Sequence, residues 1–439
     1  MKSREQLQEI AESALRAVQG DQVEVGLDVT EMGVTRFANS GIHQNIARET
    51  EEFRGRVILG KQIGGISVVS LDKDRVSEGM RAAHELAKHQ RDDPDFKSLP
   101  ESVPVEHIDR VATVTPEERA QCVQDIVKVA RGNNLTAAGV IYTIDTTAEI
   151  MNSLGANSFG RTSYAHVDAT LMTDNSSGFT TATAKDFSAF DGRALAETAS
   201  EKAILSRDPV EIPPGKYLTL LEPPAVAELL AFLNYIGFGA RAFQEGSSFM
   251  SGKIGKRITG DKITVVDDVN HPDTLGFRFD AEGVPTNEVT LIEKGTARNV
   301  VYDSYYAHKE GKPSTGHAIE QPNPYGPYAR NLRLLPGEST REDMLASIDK
   351  GILITRLWYT RLVDPDKTLV TGMTRDGTFL VENGKISKGI KNMRYTANIL
   401  ETLANAIMIS GEQSLQWFGG SIVPSLLVRD FNFTGKTEY

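Results

Sequence analysis

Cysteine is the scarcest residue here: Cys122 stands alone among 439 residues. A single thiol excludes an internal disulfide and fits a chain kept in a reducing cytoplasm. Long apolar runs are also missing. No window approaches the roughly 18 uninterrupted apolar residues that a membrane-crossing helix needs. The opening MKSREQLQEIAESAL is too polar for a secretory leader. Positive charge is in short supply: 48 Lys and Arg against 59 Asp and Glu leave a formal net charge of -11. That balance opposes non-specific attraction to nucleic acid or to an anionic membrane. There is no internal repeat and no low-complexity tract. These absences lead us to expect a cytoplasmic chain with neither nucleic acid nor membrane as partner.

What is present is an ordinary globular composition, 40% hydrophobic and 24% charged. The length allows two or three domains with real cores. Ser3 followed by Gln6 predicts a capping box, and Leu7, Ile10, Ala14, Leu15 and Val18 share one face of the helix it opens. Val23, Val25, Leu27 and Val29 alternate as in a half-buried strand. Strands are expected over 53–59 and 63–70, and a helix over 75–89 that Asp92, Asp93 and Pro94 stop. Thr115, Pro116 and Glu118 predict the start of a helix reaching Gly132. Strands over 137–144, 165–174 and 180–185 and a helix over 191–206 complete the first half. The proline-dense PVEIPP, 209–214, predicts a boundary between domains 1–208 and 209–439.

In the second half, strands over 262–267, 288–293, 297–302, 368–373 and 378–382 outnumber short helices over 339–350 and 397–408. Glu382-Asn383-Gly384-Lys385 predicts a hairpin turn. Strands and helices do not alternate regularly, which argues against a doubly wound dinucleotide fold. The expected class is α+β: an N-terminal domain of mixed helices and strands, then a mostly antiparallel, β-rich C-terminal domain.

Candidate chemistry centres on 218–253. A short apolar strand, LTLL, runs into a helix that opens on Pro223 and Pro224. Such turns carry metal ligands or nucleophiles in many enzymes, but proline and alanine fill the places here. His84-Glu85-Leu86-Ala87-Lys88-His89 has an H-E-x-x-x-H pattern, yet five residues on a straight helix set the rings about 140° apart. It reads as a solvated helix face with no third ligand nearby. Gly237 and Gly239 follow a helix and lack a third glycine, so they read as a helix stop. Ser247 and Ser248 follow Gly246 without the second glycine of a nucleophile elbow. Cys122 falls on an apolar helix face and reads as core. Residues 306–318 pack His308 and His317, Lys309 and Lys312, and the pair Ser314-Thr315 into a Gly/Pro turn. Such a turn can offer amides and hydroxyls to an extended peptide. A zinc site from its two histidines lacks a nearby carboxylate pair.

The segments LTLLEPPAVAELL, FMSGKIGKRI, YYAHKEGKPSTGHA, LVTGMTRDGTFLVENGKI and SLLVRDFNFTG resemble the TldD/PmbA family, more closely its PmbA/TldE branch. The helix ending in DDPDF fits as well, so the resemblance spans essentially the whole chain. It implies a metallopeptidase family whose active members carry H-E-x-x-x-H at the start of this helix and a cysteine near the C-terminus. Laid on that motif, Pro223 and Pro224 take the places of the first histidine and the glutamate, and Glu228 that of the second histidine. Residues 410–422 contain no cysteine. The resemblance therefore implies no catalytic group, metal or cofactor in this chain. It implies instead a non-catalytic subunit in peptide cleavage or maturation. The partner would be a TldD-like catalytic chain in a heterodimer, or a second copy in a homodimer. An unfolded peptide would lie along His308, Ser314, Thr315, Gly316, His317, Trp358, Thr374 and Arg375, with Tyr359 beside Trp358. Two alternatives remain: a stand-alone peptide-binding protein, and a metallopeptidase with a non-standard metal site at His308, Glu310 and His317.

Overall fold

The computed structural model describes residues 2–101, 103–109 and 114–436. Helix α1 (Arg4–Arg16) opens on the expected capping box: Gln6 N donates to Ser3 Oγ, and Ser3 N donates to Gln6 Oε1. Strands β1 (Gln22–Ala38), β2 (Gly41–Leu59) and β3 (Gln62–Val68) follow as antiparallel neighbours. Next come α2 (Lys73–His89), β4 (Val105–Ile108) and α3 (Pro116–Gly132), the last with Thr115 and Glu118 forming its capping box. β5 (Thr136–Asn152), β6 (Asn157–Met172), β7 (Ser177–Ala184) and α4 (Gly192–Leu205) complete this half. The sheet runs β3-β2-β1-β5-β6, with β4 and β7 both paired to β6. One core joins α1 and α2 to the sheet through Leu7, Ile10, Leu27, Phe53 and Met80. A second joins α3 and α4 to it through Ile126, Ile141, Val167 and Ala199.

The second half begins with β8 (Gly215–Leu221) and α5 (Pro223–Leu233), which a π turn at Asn234–Phe238 links to α6 (Ala240–Gln244). β9 (Val265–Asp267), β10 (Val289–Glu293), β11 (Thr296–Ala297), α7 (Ser304–Glu310), β12 (Leu332–Leu334) and α8 (Arg341–Ala346) follow. The chain then enters β13 (Lys350–Asp364), β14 (Leu369–Glu382), β15 (Lys385–Gly389) and β16 (Met393–Asn398). It ends with α9 (Ile399–Ala404), β17 (Ala406–Gln416) and β18 (Ser421–Lys436). β18 pairs with both β16 and β8, so β8, β13, β14, β16 and β18 close on themselves. α5 packs Val226, Leu229, Leu230 and Leu233 into the core these strands share with it. The fold is α+β with largely antiparallel sheets, as expected. Among the described residues, no helix is long and apolar enough to cross a membrane.

Several local expectations change. The strands expected over 368–373 and 378–382 are one strand, β14, bent at Asp376 (φ 51°) and Gly377 (φ 133°). The turn expected over 306–318 is helical as far as Glu310; Asp303 caps it by accepting from Tyr306 N, and Gly311 at φ 66° stops it. The helix expected over 397–408 ends at Ala404, and β17 takes over two residues later. Asn383 (φ 50°) and Gly384 (φ 75°) do form the expected hairpin turn.

Polar and apolar contacts tie the two halves together. Arg56 donates to Glu24 at 2.9 Å and to Glu282 at 3.1 Å. Ser177 Oγ donates to Asp376 Oδ1 at 2.6 Å. Phe279 packs on Ala148 and Ile150.

Candidate functional site

The turn from β8 into α5 is held by charge. Glu222, the N-cap of α5, accepts from Lys202 Nζ at 2.6 Å and lies 3.0 Å from Arg341 Nη2. Burial acts to raise this carboxyl, but Lys202 and Arg341 outweigh it and hold it below its usual range. Pro223 and Pro224 then fill the first helical turn. Their missing N–H groups would have no helical partner there, so the pair suits a helix start. One turn later the Glu228 carboxyl accepts from the Thr360 hydroxyl on β13. Thr360 Oγ1 lies 2.5 Å from the Tyr395 hydroxyl on β16. Burial, the largest influence, raises the Glu228 carboxyl.

Pro224 and Glu228 open onto a cavity of about 170 Å³ between α5, the first sheet and β13. From the first sheet, His166 and Asp168 face it. His166 Nδ1 lies 3.0 Å from Thr183 Oγ1, and Nε2 lies 3.2 Å from Asp168 Oδ1. Trp417 stacks on the imidazole with ring centres 4.9 Å apart. Burial works to raise Asp168, yet the His166 hydrogen bond and charge leave it below its usual value. Arg356 of β13 forms the far wall. Its guanidinium sits 3.8 Å over the Phe179 ring and 5.0 Å from that of Trp358, and it pairs with Asp376.

Arg356 and Trp358 also line a larger groove, about 1140 Å³, that continues between the ends of β6 and β7 and the bend of β14. Tyr359 and Arg375 belong to this groove, and the Arg375 guanidinium stacks 4.7 Å over Trp358. Beyond Ile354, the side of β13 away from β14 pairs with no strand among the described residues, since β8 covers only Ile352 to Ile354.

The other residues expected beside them lie elsewhere. Thr374 is fully buried, and its hydroxyl accepts from Met393 N at 3.0 Å. Ser314 and Thr315 turn their hydroxyls inward to Tyr302 O, at 3.2 and 3.0 Å. Gly316 has φ 73° and passes so close to Pro285 that a Cβ would fall 2.2 Å from its carbonyl oxygen. His317 is buried with Nε2 3.2 Å from Asp267 Oδ1. His308 lines a separate cavity beside Arg56. Thr315 lines a different cavity, beside Tyr302 and Lys312, so the turn at 314–317 does not join Trp358 and Arg375 in one groove.

The alternative metal site is not assembled either. Glu310 accepts from the Tyr302 hydroxyl at 2.9 Å and pairs with Lys312 at 2.6 Å. Among the described residues, no group of three or more His, Cys, Asp and Glu is placed to hold an ion. The head of α5 does not fit a catalytic ion on its own chemistry. Proline offers no ligand atom, and Glu228 brings one carboxyl where such a site needs about three protein ligands. Cys122 is buried in α3, where burial first and then Asp125 and Asp191 push the thiol up to about 11. Residues that sequence reasoning passed over are Arg356, His166, Asp168 and Thr360. They meet only through contacts between distant strands, and none carries a local motif.

Comparison with known proteins agrees with this architecture. The family model for the PmbA/TldA metallopeptidase C-terminal domain matches residues 214–435. A Metalloprotease PmbA from Escherichia coli O157:H7 is 23% identical over 92% of this chain and 91% of its own length. A Metalloprotease from Methanothermobacter thermautotrophicus is 26% identical over 49% of this chain and 47% of its own. For several curated relatives the chain spans less than two thirds of their length. The crystal structure of TldE from Thermococcus kodakarensis superposes with a TM-score of 0.88 at 22% identity, covering 98% of this chain and 100% of that one. With its second sheet matched from end to end, the chain belongs to the PmbA/TldD metallopeptidase family.

Proposed function

We propose that this chain is a non-catalytic, PmbA/TldE-type subunit that works beside a TldD-type chain in cleaving or maturing an unfolded peptide. The reading rests on one observation above all: α5 opens on two prolines and carries a hydrogen-bonded glutamate a turn later, and by the resemblance these are the places where an active member would need two imidazoles and a general base. The missing cysteine at 410–422 points the same way. The partner brings the ion, and this chain brings peptide-binding surface. The groove lined by Trp358, Tyr359 and Arg375 suits an extended chain, and the open side of β13 next to it offers backbone groups for strand addition.

Co-expression with a TldD-type chain tests the reading. A stable heterodimer is expected, with peptidase activity that needs both chains and is lost to a chelator. Stoichiometric zinc and peptidase activity in this chain alone would overturn it. Tight peptide binding with no partner retained would favour a stand-alone peptide-binding protein.

A further inference from the structure

The cavity of about 170 Å³ at the head of α5 lies against the open side of β13. Arg356, Leu357 and Trp358 all line it. Neighbours in a strand point to opposite faces, so three consecutive residues place the cavity at the edge of the strand rather than on one face. That stretch of edge pairs with no strand among the described residues. Through Arg356 and Trp358 the cavity also continues into the larger groove, so a chain running along the groove passes its mouth. The mouth is open to solvent: Trp417 is 37% exposed and Phe418 54%. The walls are largely ring and aliphatic carbon, from Phe179, Pro224, Ala227, Trp358 and Phe418. The polar side chains among them are already engaged within the protein. His166 lies against Thr183 and pairs with Asp168, Arg356 pairs with Asp376, and Gln416 donates to Ser414. Glu228 accepts from Thr360, and burial favours its neutral form. A charged occupant would find no free counter-charge here, and a cation would meet the Arg356 guanidinium.

We infer that this cavity receives one phenyl side chain of a peptide lying in the groove, so that the bound chain is selected for phenylalanine at one position. The inference rests on the reading of this chain as a peptide-binding subunit and names the substrate class of that site. Size supports it: an apolar protein cavity of about 150 Å³ holds one benzene ring. A strand added to the open side of β13 sends its side chains alternately to its two faces, and the one that meets the cavity leaves water for a wall of rings. Burying one such side chain is worth about tenfold to a hundredfold in affinity. Both tryptophans of the chain, Trp358 and Trp417, line the cavity, so intrinsic fluorescence reports its filling.

Titration of the full chain with a threonine-serine heptapeptide carrying one central guest residue tests this, read by calorimetry and by tryptophan emission. The phenylalanine guest is expected to bind about tenfold to a hundredfold tighter than the alanine guest and to shift the emission. Lysine, which brings a charge, and 4-phenylphenylalanine, which brings a second ring, are expected to bind no tighter than alanine. Phe418→Ala is expected to reduce the preference for phenylalanine over alanine, and Ala227→Leu, which fills the cavity, to remove it. The parent Tm is the check on folding, and the exposed Phe418 carries the test should Ala227→Leu melt early. Equal affinity for the phenylalanine and alanine guests, tighter binding of the lysine guest, or an unchanged preference in folded variants would overturn the pocket. If Trp358→Ala then still weakened every guest peptide, the groove itself would stand. No binding of any guest peptide up to about 10 mM would overturn pocket and groove together.

Discussion

The Thr360 hydroxyl on β13 donates to the Glu228 carboxyl on α5, across 132 positions of chain. This bond fastens α5 to the closed ring of strands, and Tyr395 continues it from Thr360. A carboxyl engaged in this way acts as a brace. Glu228→Ala is expected to leave the peptidase activity of the assembled complex within about threefold of the parent, while lowering stability by about 1–3 kcal/mol. Assembly by size exclusion and turnover of a peptide substrate check this. A loss of about a hundredfold with assembly intact would make Glu228 a reacting group.

Glu222 is the second brace, and it depends on charge. Its folded value lies below 4.5, so it contributes stability that is present above that pH and is lost as pH falls through the folded value. Glu222→Gln leaves Lys202 half-buried without its partner and is expected to cost about 3 kcal/mol at neutral pH. Urea unfolding of parent and variant should show this gap at pH 7 and a shrinking one as pH falls below 4.5 through the folded value.

Glu149 works in the opposite direction. It is fully buried in β5, and neither carboxyl oxygen has a hydrogen-bond partner among the described residues. Burial, only partly offset by Arg4, raises it from 4.5 to about 7. Between those values the folded chain keeps a proton that the unfolded chain has released, so stability falls as pH rises and the penalty is complete above about 7. At about 1.4 kcal/mol per pKa unit, the penalty is roughly 3 kcal/mol. Glu149→Gln is expected to flatten the pH dependence by that amount. Unfolding free energies of parent and variant at pH 5 and pH 8 give the difference directly.

Arg375 and Trp358 form a stacked pair at the mouth of the larger groove. Trp358→Ala and Arg375→Glu are each expected to weaken an unfolded peptide about tenfold or more, the range of a moderate interface anchor. Thr315→Ala is expected to leave peptide affinity unchanged and to lower stability, because its hydroxyl bonds Tyr302 within the protein. Fluorescence titration with a labelled unfolded peptide separates the three. Unchanged affinity in both groove variants would move the peptide elsewhere.

Cys122 offers a simple check on the packing of α3. Buried, with a thiol raised to about 11, it is expected to resist a disulfide reagent until the chain unfolds. Rapid labelling under native conditions would contradict that packing.

Local signals in the sequence reported local structure well. Ser3 with Gln6, Thr115 with Glu118, Pro223 and Asn383-Gly384 each act through neighbours a few residues away, and each sits where its chemistry requires. The same logic was available at Asp303 and Gly311, which cap and stop α7, but the dense polar run between them reads as a turn. β13 and β18 were not foreseen. Their buried stretches, such as Ile352 to Ile354 and Leu426 to Val428, are short apolar runs that carry no helix or strand period of their own. The groove was legible in part. Trp358 and Arg375 share β13 and β14, whereas His166 and Asp168 reach the cavity beside them only through packing of one half on the other. His317 is expected along a bound peptide, yet it lies buried beside Asp267, a neighbour that nothing nearby in the sequence reveals.

Arg56 answers to Glu24 in its own half and to Glu282 in the other. A chimera whose grafted half lacked Glu282, or lacked Arg56, would leave the remaining partner stranded in the seam. Exchange of either half is therefore expected to cost least when Glu24, Arg56 and Glu282 stay together as a set.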